Sequence, residues 1–319
     1  MSNRPLQVVF LDRFAIRATL RPLRFPHEWR EYPTTSPAEV VERLDGAAIA
    51  ITNRVFVDEA VLMQLPALRL IAVSATGYEG IDVAACRRAG VTVTNVRDWS
   101  TPAVAEHAFA MMLTIRRQLL VYREALGAGE WERSHFYGVL KDPLPQDLFG
   151  CTLGIIGYGA LGRRLAELGR AFGMSVLVAD HKASVPREGR VSFDDAIERA
   201  DVLCIACPFT ADTANLVGAA ELARMKPTAT LINTARGGIV DEHALARALQ
   251  EGRIGGAGID SLAQEPPRDG NPLLGLKLPN LVMTPHMAFA SESTLAALTE
   301  QLLSTIEAFV DGHPRNVVS

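Results

Sequence analysis

Leu153-Gly154-Ile155-Ile156-Gly157-Tyr158-Gly159-Ala160-Leu161-Gly162 is a short apolar run that breaks into a glycine-spaced turn and then into a helix. The run has the length and composition of a buried strand. Beyond it, Leu161, Leu165, Leu168 and Phe172 recur at spacings of three and four, which is helical periodicity. Strand, G-x-G-x-x-G turn and helix in that order put backbone N–H groups at a helix start, where absent side chains let a phosphate approach. The next run, Val176-Leu177-Val178-Ala179, ends in Asp180, 18 residues past Gly162, where a carboxylate would accept hydrogen bonds from a ribose. Together these features predict a site for NAD. A carboxylate there also disfavours a 2′-phosphate, and the adjacent His181 and Lys182 soften that preference.

Outward from this stretch, residues 153–156, 176–179, 202–206, 230–233, 257–260 and 281–283 form six apolar runs separated by helix-patterned segments, which predicts a doubly wound parallel sheet. The first hundred residues carry a smaller α/β pattern, with strands at 8–11, 48–51, 70–73 and 91–94, helices at 58–64 and 82–89, and no phosphate turn. Between the two patterns, Thr101 caps a helix that has Pro102 in its first turn and runs through Met111 and Met112, read as core filler, to Ile115. A helical tail at 292–310 is expected to return to the first domain. The expectation is an α/β chain of two doubly wound parallel-sheet domains. A Rossmann NAD-binding domain covers 101–290, and a smaller flavodoxin-like substrate-binding domain covers 1–100 and 291–319. Residues 127–149 mix Gly, Pro, Trp and charges without periodicity, which suggests either an arm that packs on a second subunit or a flap.

Composition narrows the function. A chain of 319 residues, 48% hydrophobic, is long enough for two cores. Its net charge of −4, from 32 basic and 36 acidic residues spread along the chain, offers no single-sign field for a nucleic acid. No apolar run reaches membrane-span length, and Met1-Ser2-Asn3-Arg4-Pro5-Leu6 lacks the features of a signal peptide, so a cytoplasmic protein is expected. Four cysteines fit a reducing compartment. Cys204 and Cys207 have C-x-x-C spacing, but an odd offset on a strand sends them to opposite faces. No second such pair accompanies them, so neither a metal site nor a disulfide is expected.

Arg236, Glu265 and His286 each follow one of the apolar runs, as if they sat at the ends of successive strands, where a parallel sheet leaves its ligand crevice. Reducing a 2-keto acid needs a cation for the carboxylate, a proton donor near the carbonyl oxygen and a hydride source. The planar fork of Arg236 suits the first task and the imidazole of His286 the second. Glu265 beside that imidazole would stabilise its protonated form and fix the ring. Taken singly, Arg236 could be a surface arginine, Glu265 a solvated loop residue and His286 a core histidine. The common strand-end placement favours chemistry. His107 and Glu106 offer a competing pair, but helix neighbours point about 100° apart.

Thr234-Ala235-Arg236-Gly237-Gly238-Ile239-Val240-Asp241, the segment from Asp260 to Glu265-Pro266, and Thr284-Pro285-His286 resemble the signature segments of the D-isomer-specific 2-hydroxyacid dehydrogenases. Ser74-Ala75-Thr76-Gly77-Tyr78, Trp131-Glu132-Arg133-Ser134 and Phe289 look most like the glycerate dehydrogenase and hydroxypyruvate reductase group. The resemblance implies NAD-dependent interconversion of a short 2-keto acid, hydroxypyruvate or glyoxylate, with its D-2-hydroxy acid. Ala75, Thr76 and Gly77 would offer N–H groups to the substrate carboxylate. Beside Gly157, Tyr158, Gly159 and Gly162, the resemblance places Ala160, Leu161, Asp180, Cys207, Pro208, Thr213, Thr234, Ala235, Arg236, Asp260 and His286 around the NAD. It further implies domain closure over the cofactor and a homodimer using 127–149. Arg97-Asp98-Trp99-Ser100, Ala206 and Gly80 depart from the common pattern and bear on substrate identity. Two other functions remain open: an NAD-sensing scaffold without turnover, and formate or phosphite oxidation. Formate enzymes of the superfamily usually carry glutamine where Glu265 stands.

Overall fold

A computed structural model of the protein describes residues 5–318. Most of the segment used for the N-terminal reading, residues 1–4, lies outside the described residues. The chain forms two units, one made from Met1–Ser100 with Ala290–Ser319 and the other from Thr101–Phe289.

The first unit is a five-stranded parallel sheet of β1 (Leu6–Phe10), β2 (His27–Glu31), β3 (Ile49–Thr52), β4 (Leu70–Val73) and β5 (Thr92–Thr94), in the order β2-β1-β3-β4-β5. Its helices are α1 (Val40–Leu44), α2 (Glu59–Leu62) and α3 (Val83–Ala89). Asp58 and Asp82 cap α2 and α3 by accepting from backbone N–H groups three residues on, and Gly90 ends α3 in the left-handed region at φ 71°. Successive strand residues face opposite ways, so Val9, Ala50 and Ile71 join one core while Val8, Phe10, Ile49, Ile51 and Leu70 join the other.

The second unit opens with α4 (Thr101–Arg116) and α5 (Leu119–Gly127). Its sheet holds β6 (Thr152–Ile156), β7 (Ser175–Ala179), β8 (Val202–Ile205), β9 (Thr230–Asn233), β10 (Gly256–Ile259) and β11 (Leu281–Met283). All pairs are parallel, in the order β11-β10-β9-β8-β6-β7. The connecting helices are α6 (Ala160–Ala171), α7 (Phe193–Arg199), α8 (Ala219–Arg224) and α9 (Glu242–Gln250). Met111 and Met112 are both buried, in the core that α4 shares with Leu153, Ile155 and Leu165. The final helix, α10 (Glu292–Val310), belongs to the first unit, where Leu298, Leu302, Leu303 and Ile306 cover one face of its sheet.

The two-sheet α/β architecture is therefore the expected one. Several details differ from the sequence reading. α1, β2 and α5 were not foreseen, Thr101 is the first residue of α4 rather than its cap, and β8 stops at Ile205 rather than at residue 206. Among the described residues, no helix is long and apolar enough to cross a membrane.

Leu302 is 1% exposed. Leu302→Ala is expected to destabilise the first unit by about 2–5 kcal/mol through lost burial and the cavity it leaves, measured as a lowered urea midpoint. An unchanged midpoint would contradict the packing of α10.

Candidate active site

The glycine turn lies where strand order reverses, since β6 has β7 on one side and β8 on the other. Open parallel sheets bind ligands at this kind of switch point. Gly157 has φ 96°, and a Cβ there would stand 2.6 Å from the backbone of Ala206 and Cys207, so only glycine lets the end of β6 approach the end of β8. Gly159 is different: a Cβ would meet nothing within 4 Å, so its bare backbone faces open space at the start of α6. Ala160 and Leu161 form the first turn of that helix, and Gly162 packs against the Gly157 carbonyl. A cradle closed behind and open in front fits the pyrophosphate of a dinucleotide. Tyr158 packs against the core that contains α4, with the Arg190 guanidinium 5.5 Å from its ring centre.

Cys207, Pro208 and Thr213 lie just past β8. The Thr213 hydroxyl donates to the Pro208 carbonyl at 2.8 Å and accepts from Thr210 N at 2.7 Å, which folds this loop on itself. Burial pushes the Cys207 thiol up to about 11, so it stays protonated near neutral pH. Cys204 and Cys207 are free thiols that join cores on opposite faces of the sheet. Asp180 stands beside the turn, because the β6–β7 register pairs Ile156 with Ala179. Its carboxylate, read as the ribose acceptor, is instead closed over by Arg187 at 2.6 to 2.9 Å. The Arg187 guanidinium holds that carboxyl well below the usual carboxylate range.

Arg236, Glu265 and His286 follow β9, β10 and β11, three neighbouring strands paired so that Asn233 lies beside Ile259 and Ile259 beside Met283. The His286 ring is bonded through Nδ1 to Glu265 Oε2 at 2.6 Å, and Glu265 Oε1 accepts from Leu262 N at 2.9 Å. The Arg236 loop rests directly on the Glu265 loop: a Cβ at Gly237 would overlap the backbone of Leu262 and Ala263. Buried Asn233 shapes that loop, its Oδ1 accepting from Ala235 N at 3.2 Å and its Nδ2 donating to the Arg236 carbonyl at 2.8 Å. Thr234, 7% exposed, continues from it.

His286 has φ 50°, a left-handed conformation that costs a non-glycine residue about 1–2 kcal/mol. Asp260 offsets that cost. Its carbonyl accepts from His286 N at 2.7 Å, and its carboxylate accepts from the Thr284 hydroxyl at 2.6 Å, Met287 N at 2.9 Å and Ala288 N at 3.0 Å. The Thr284 hydroxyl spends its proton on Asp260, so it accepts from His107 Nε2 at 3.0 Å. His107 is thus a support behind the loop, neither a rival acid nor a bystander. Sequence reasoning missed Asn233, Thr284 and Arg187 as partners. Polar residues closing apolar strands, as Asn233 and Thr284 do, were the available signal.

In the first unit, Ala75, Thr76 and Gly77 follow β4. The Thr76 carbonyl accepts from Asn95 Nδ2 at 2.8 Å, the Thr76 hydroxyl accepts from Trp99 Nε1 at 3.1 Å, and the Ala75 carbonyl accepts from Val96 N at 3.1 Å. Trp99, one of the departures from the common pattern, therefore braces this loop.

Comparison with known proteins identifies the family of the chain. The family model described as "D-isomer specific 2-hydroxyacid dehydrogenase, NAD binding domain" matches residues 109–288. The chain is 47% identical to a glycerate dehydrogenase of Methylorubrum extorquens, over 98% of both chains. It is 32% identical to a hydroxypyruvate reductase of Blautia hydrogenotrophica, over 89% of both. Among solved structures it is similar to a D-lactate dehydrogenase from Aquifex aeolicus complexed with NAD and lactic acid, with a TM-score of 0.79, 29% identity and coverage of 91% of this chain and 92% of that one.

Because Gly159 faces open space, Gly159→Ala is expected to leave the melting temperature within about 2 °C while weakening NADH roughly tenfold, the scale of one lost charge-assisted hydrogen bond. Fluorescence titration checks the affinity and calorimetry the stability. An unchanged NADH affinity would remove the cradle from the site.

Proposed function

The chain belongs to the D-isomer-specific 2-hydroxyacid dehydrogenases, NAD-dependent enzymes acting on a CH–OH group, and on that premise we propose hydroxypyruvate or glyoxylate as its 2-keto acid. The product is then the D-hydroxy acid, and the reaction runs in reverse on D-glycerate. The observation that carries the reading is the His286–Glu265 pair, whose members follow β11 and β10, with Arg236 following the next strand, β9.

In this reading Arg236 grips the substrate through its fork of N–H donors and polarises the keto oxygen. His286 delivers the proton to that oxygen through Nε2, since Nδ1 is committed to Glu265. Glu265 fixes the ring through Nδ1 and so aims Nε2 at the substrate. Bound NADH supplies the hydride to the carbonyl carbon. Gly157, Tyr158, Gly159, Ala160, Leu161, Gly162, Asp180, Cys207, Pro208, Thr213, Thr234, Ala235 and Asp260 line the cofactor, while Ala75, Thr76 and Gly77 hold the substrate carboxylate. The unit built from Thr101–Phe289 serves as the NAD-binding domain and the other as the substrate domain. A scaffold that binds NAD without turnover is not favoured, because the named relatives are catalysts and the acid–base pair is intact.

A homodimer and a cytoplasmic location belong to the same proposal. Supporting the dimer, Trp131, Phe136, Tyr137, Leu140 and Leu144 are all more than half exposed within residues 127–149, and Tyr137 reaches 85%. Supporting the cytoplasm, all four cysteines are free.

His286→Asn is expected to lower kcat by about 10²–10⁴; a value within a few-fold of the parent enzyme would remove His286 as the acid. NADH oxidation should show its highest kcat/KM on hydroxypyruvate or glyoxylate when these are compared with pyruvate, 2-ketogluconate and phosphohydroxypyruvate. A better rate on one of the last three would overturn the substrate assignment. Light scattering should report a dimer that Tyr137→Asp with Leu140→Asp converts to monomer, and a parent protein already monomeric would refute the dimer.

A further inference from the structure

The loop that carries Glu265 is anchored in the core only at its ends. Leu262 packs against the core of the second unit and Leu273 is fully buried in it, while residues 263–272 are all half-buried or exposed. A cavity of about 440 Å³ borders this stretch and the start of α9, with Ala263, Gln264, Asn271 and Glu242 in its wall. Apolar packing therefore does not fix where the loop stands, and polar contacts must.

Glu242 makes those contacts. It is the first residue of α9, and its carboxylate accepts from Ala263 N at 2.7 Å through Oε1 and from Asn271 Nδ2 at 2.5 Å through Oε2. Asn271 passes the hold to the far end of the loop, its Oδ1 accepting from Leu273 N at 2.9 Å. Next to Ala263 N, the N–H of Leu262 is taken by Glu265 Oε1 at 2.9 Å. Two carboxylates thus grip consecutive N–H groups, and one of them is the partner of His286. The base from which Glu242 reaches is firm: Ile239 and Val240 are buried, and Asp241 N donates to the Val217 carbonyl at 3.0 Å. A negative side chain in the first turn of a helix is also favoured there by the helix dipole.

We propose that Glu242 is a positioning residue for the reaction, acting through Glu265 rather than on the substrate. By fixing the loop it sets Glu265 against His286 Nδ1, which leaves Nε2 aimed at the keto oxygen. The proposal rests on reading His286 as the acid and adds the residue that holds its partner in place. Arg236 is set separately, by the Asn233 bonds to its loop. Loosening the Glu242 contacts therefore disturbs proton delivery more than substrate grip, so kcat falls while KM holds. A displacement of about 1 Å at a reacting group is enough to cost on the order of 10² in rate.

Glu242→Ala should lower kcat by about ten- to a hundredfold while KM for the keto acid that the parent reduces fastest, and the Kd for NADH, stay at their parent values. The solvent deuterium isotope effect on kcat should grow, because proton transfer has become slower. A fold merely weakened would reduce the number of active molecules and leave that isotope effect alone. Asn271→Asp sets a second carboxylate against Glu242 and should show the same pattern. Adding Glu242→Gln to it should restore most of the lost kcat, since an amide then faces the new carboxylate while its oxygen still accepts from Ala263 N. With His286→Asn crippled, a near-parental kcat in Glu242→Ala overturns this proposal alone, as does an isotope effect unmoved in both single variants. So does a double variant no faster than Asn271→Asp. Near-parental turnover in His286→Asn overturns the acid reading with it.

Discussion

A single buried carboxylate, that of Asp260, holds the loop that carries His286. It is 3% exposed, and burying such a group is costly unless donors satisfy it. Here the donors are the Thr284 hydroxyl and the backbone N–H groups of Met287 and Ala288, all on the segment that carries His286. The same residue's carbonyl takes His286 N. The His286 imidazole is thus set by its backbone before Glu265 fixes the ring. A left-handed histidine persists only where its surroundings over-determine it, and Asp260 supplies that over-determination.

This arrangement explains why the strand-end placement of three polar residues could be read from the chain. β9, β10 and β11 are parallel and adjacent, so residues a few positions past their ends share one edge of the sheet. Arg236, Glu265 and His286 announce themselves because each is polar or charged immediately after an apolar run. The six central strands were legible for the related reason that strands buried on both faces read as continuous apolar stretches. β2 was not, because His27-Glu28-Trp29-Arg30-Glu31 is an edge strand paired only with β1, and its exposed positions carry charge. α5 escaped because it follows α4 after a two-residue break, where Gln118 takes φ 52° without any Gly or Pro to mark the turn.

Positioning residues were less legible than reacting ones. Thr284 precedes Pro285 on a strand end, and nothing in its neighbours shows that its hydroxyl bridges Asp260 to His107 from a helix 177 residues earlier. Such a bridge exists only after α4 has packed across the strands. The Trp99–Thr76 bond has the same character: an aromatic that looked anomalous in the chain turns out to brace the loop after β4.

Asp180 shows a different limit. The pairing of Ile156 with Ala179 makes its location beside the glycine turn a matter of register, which the spacing of two apolar runs and a turn can carry. The charge it presents is not a matter of register. That depends on Arg187, seven residues away in an irregular segment, folding back to place both its backbone N–H and its guanidinium on one carboxylate. Register therefore fixes where the acidic residue at this strand end lies, while the charge shown there belongs to whichever side chain covers it. Reading cofactor preference from the acid alone treats the two as one property, and in this chain the fold separates them.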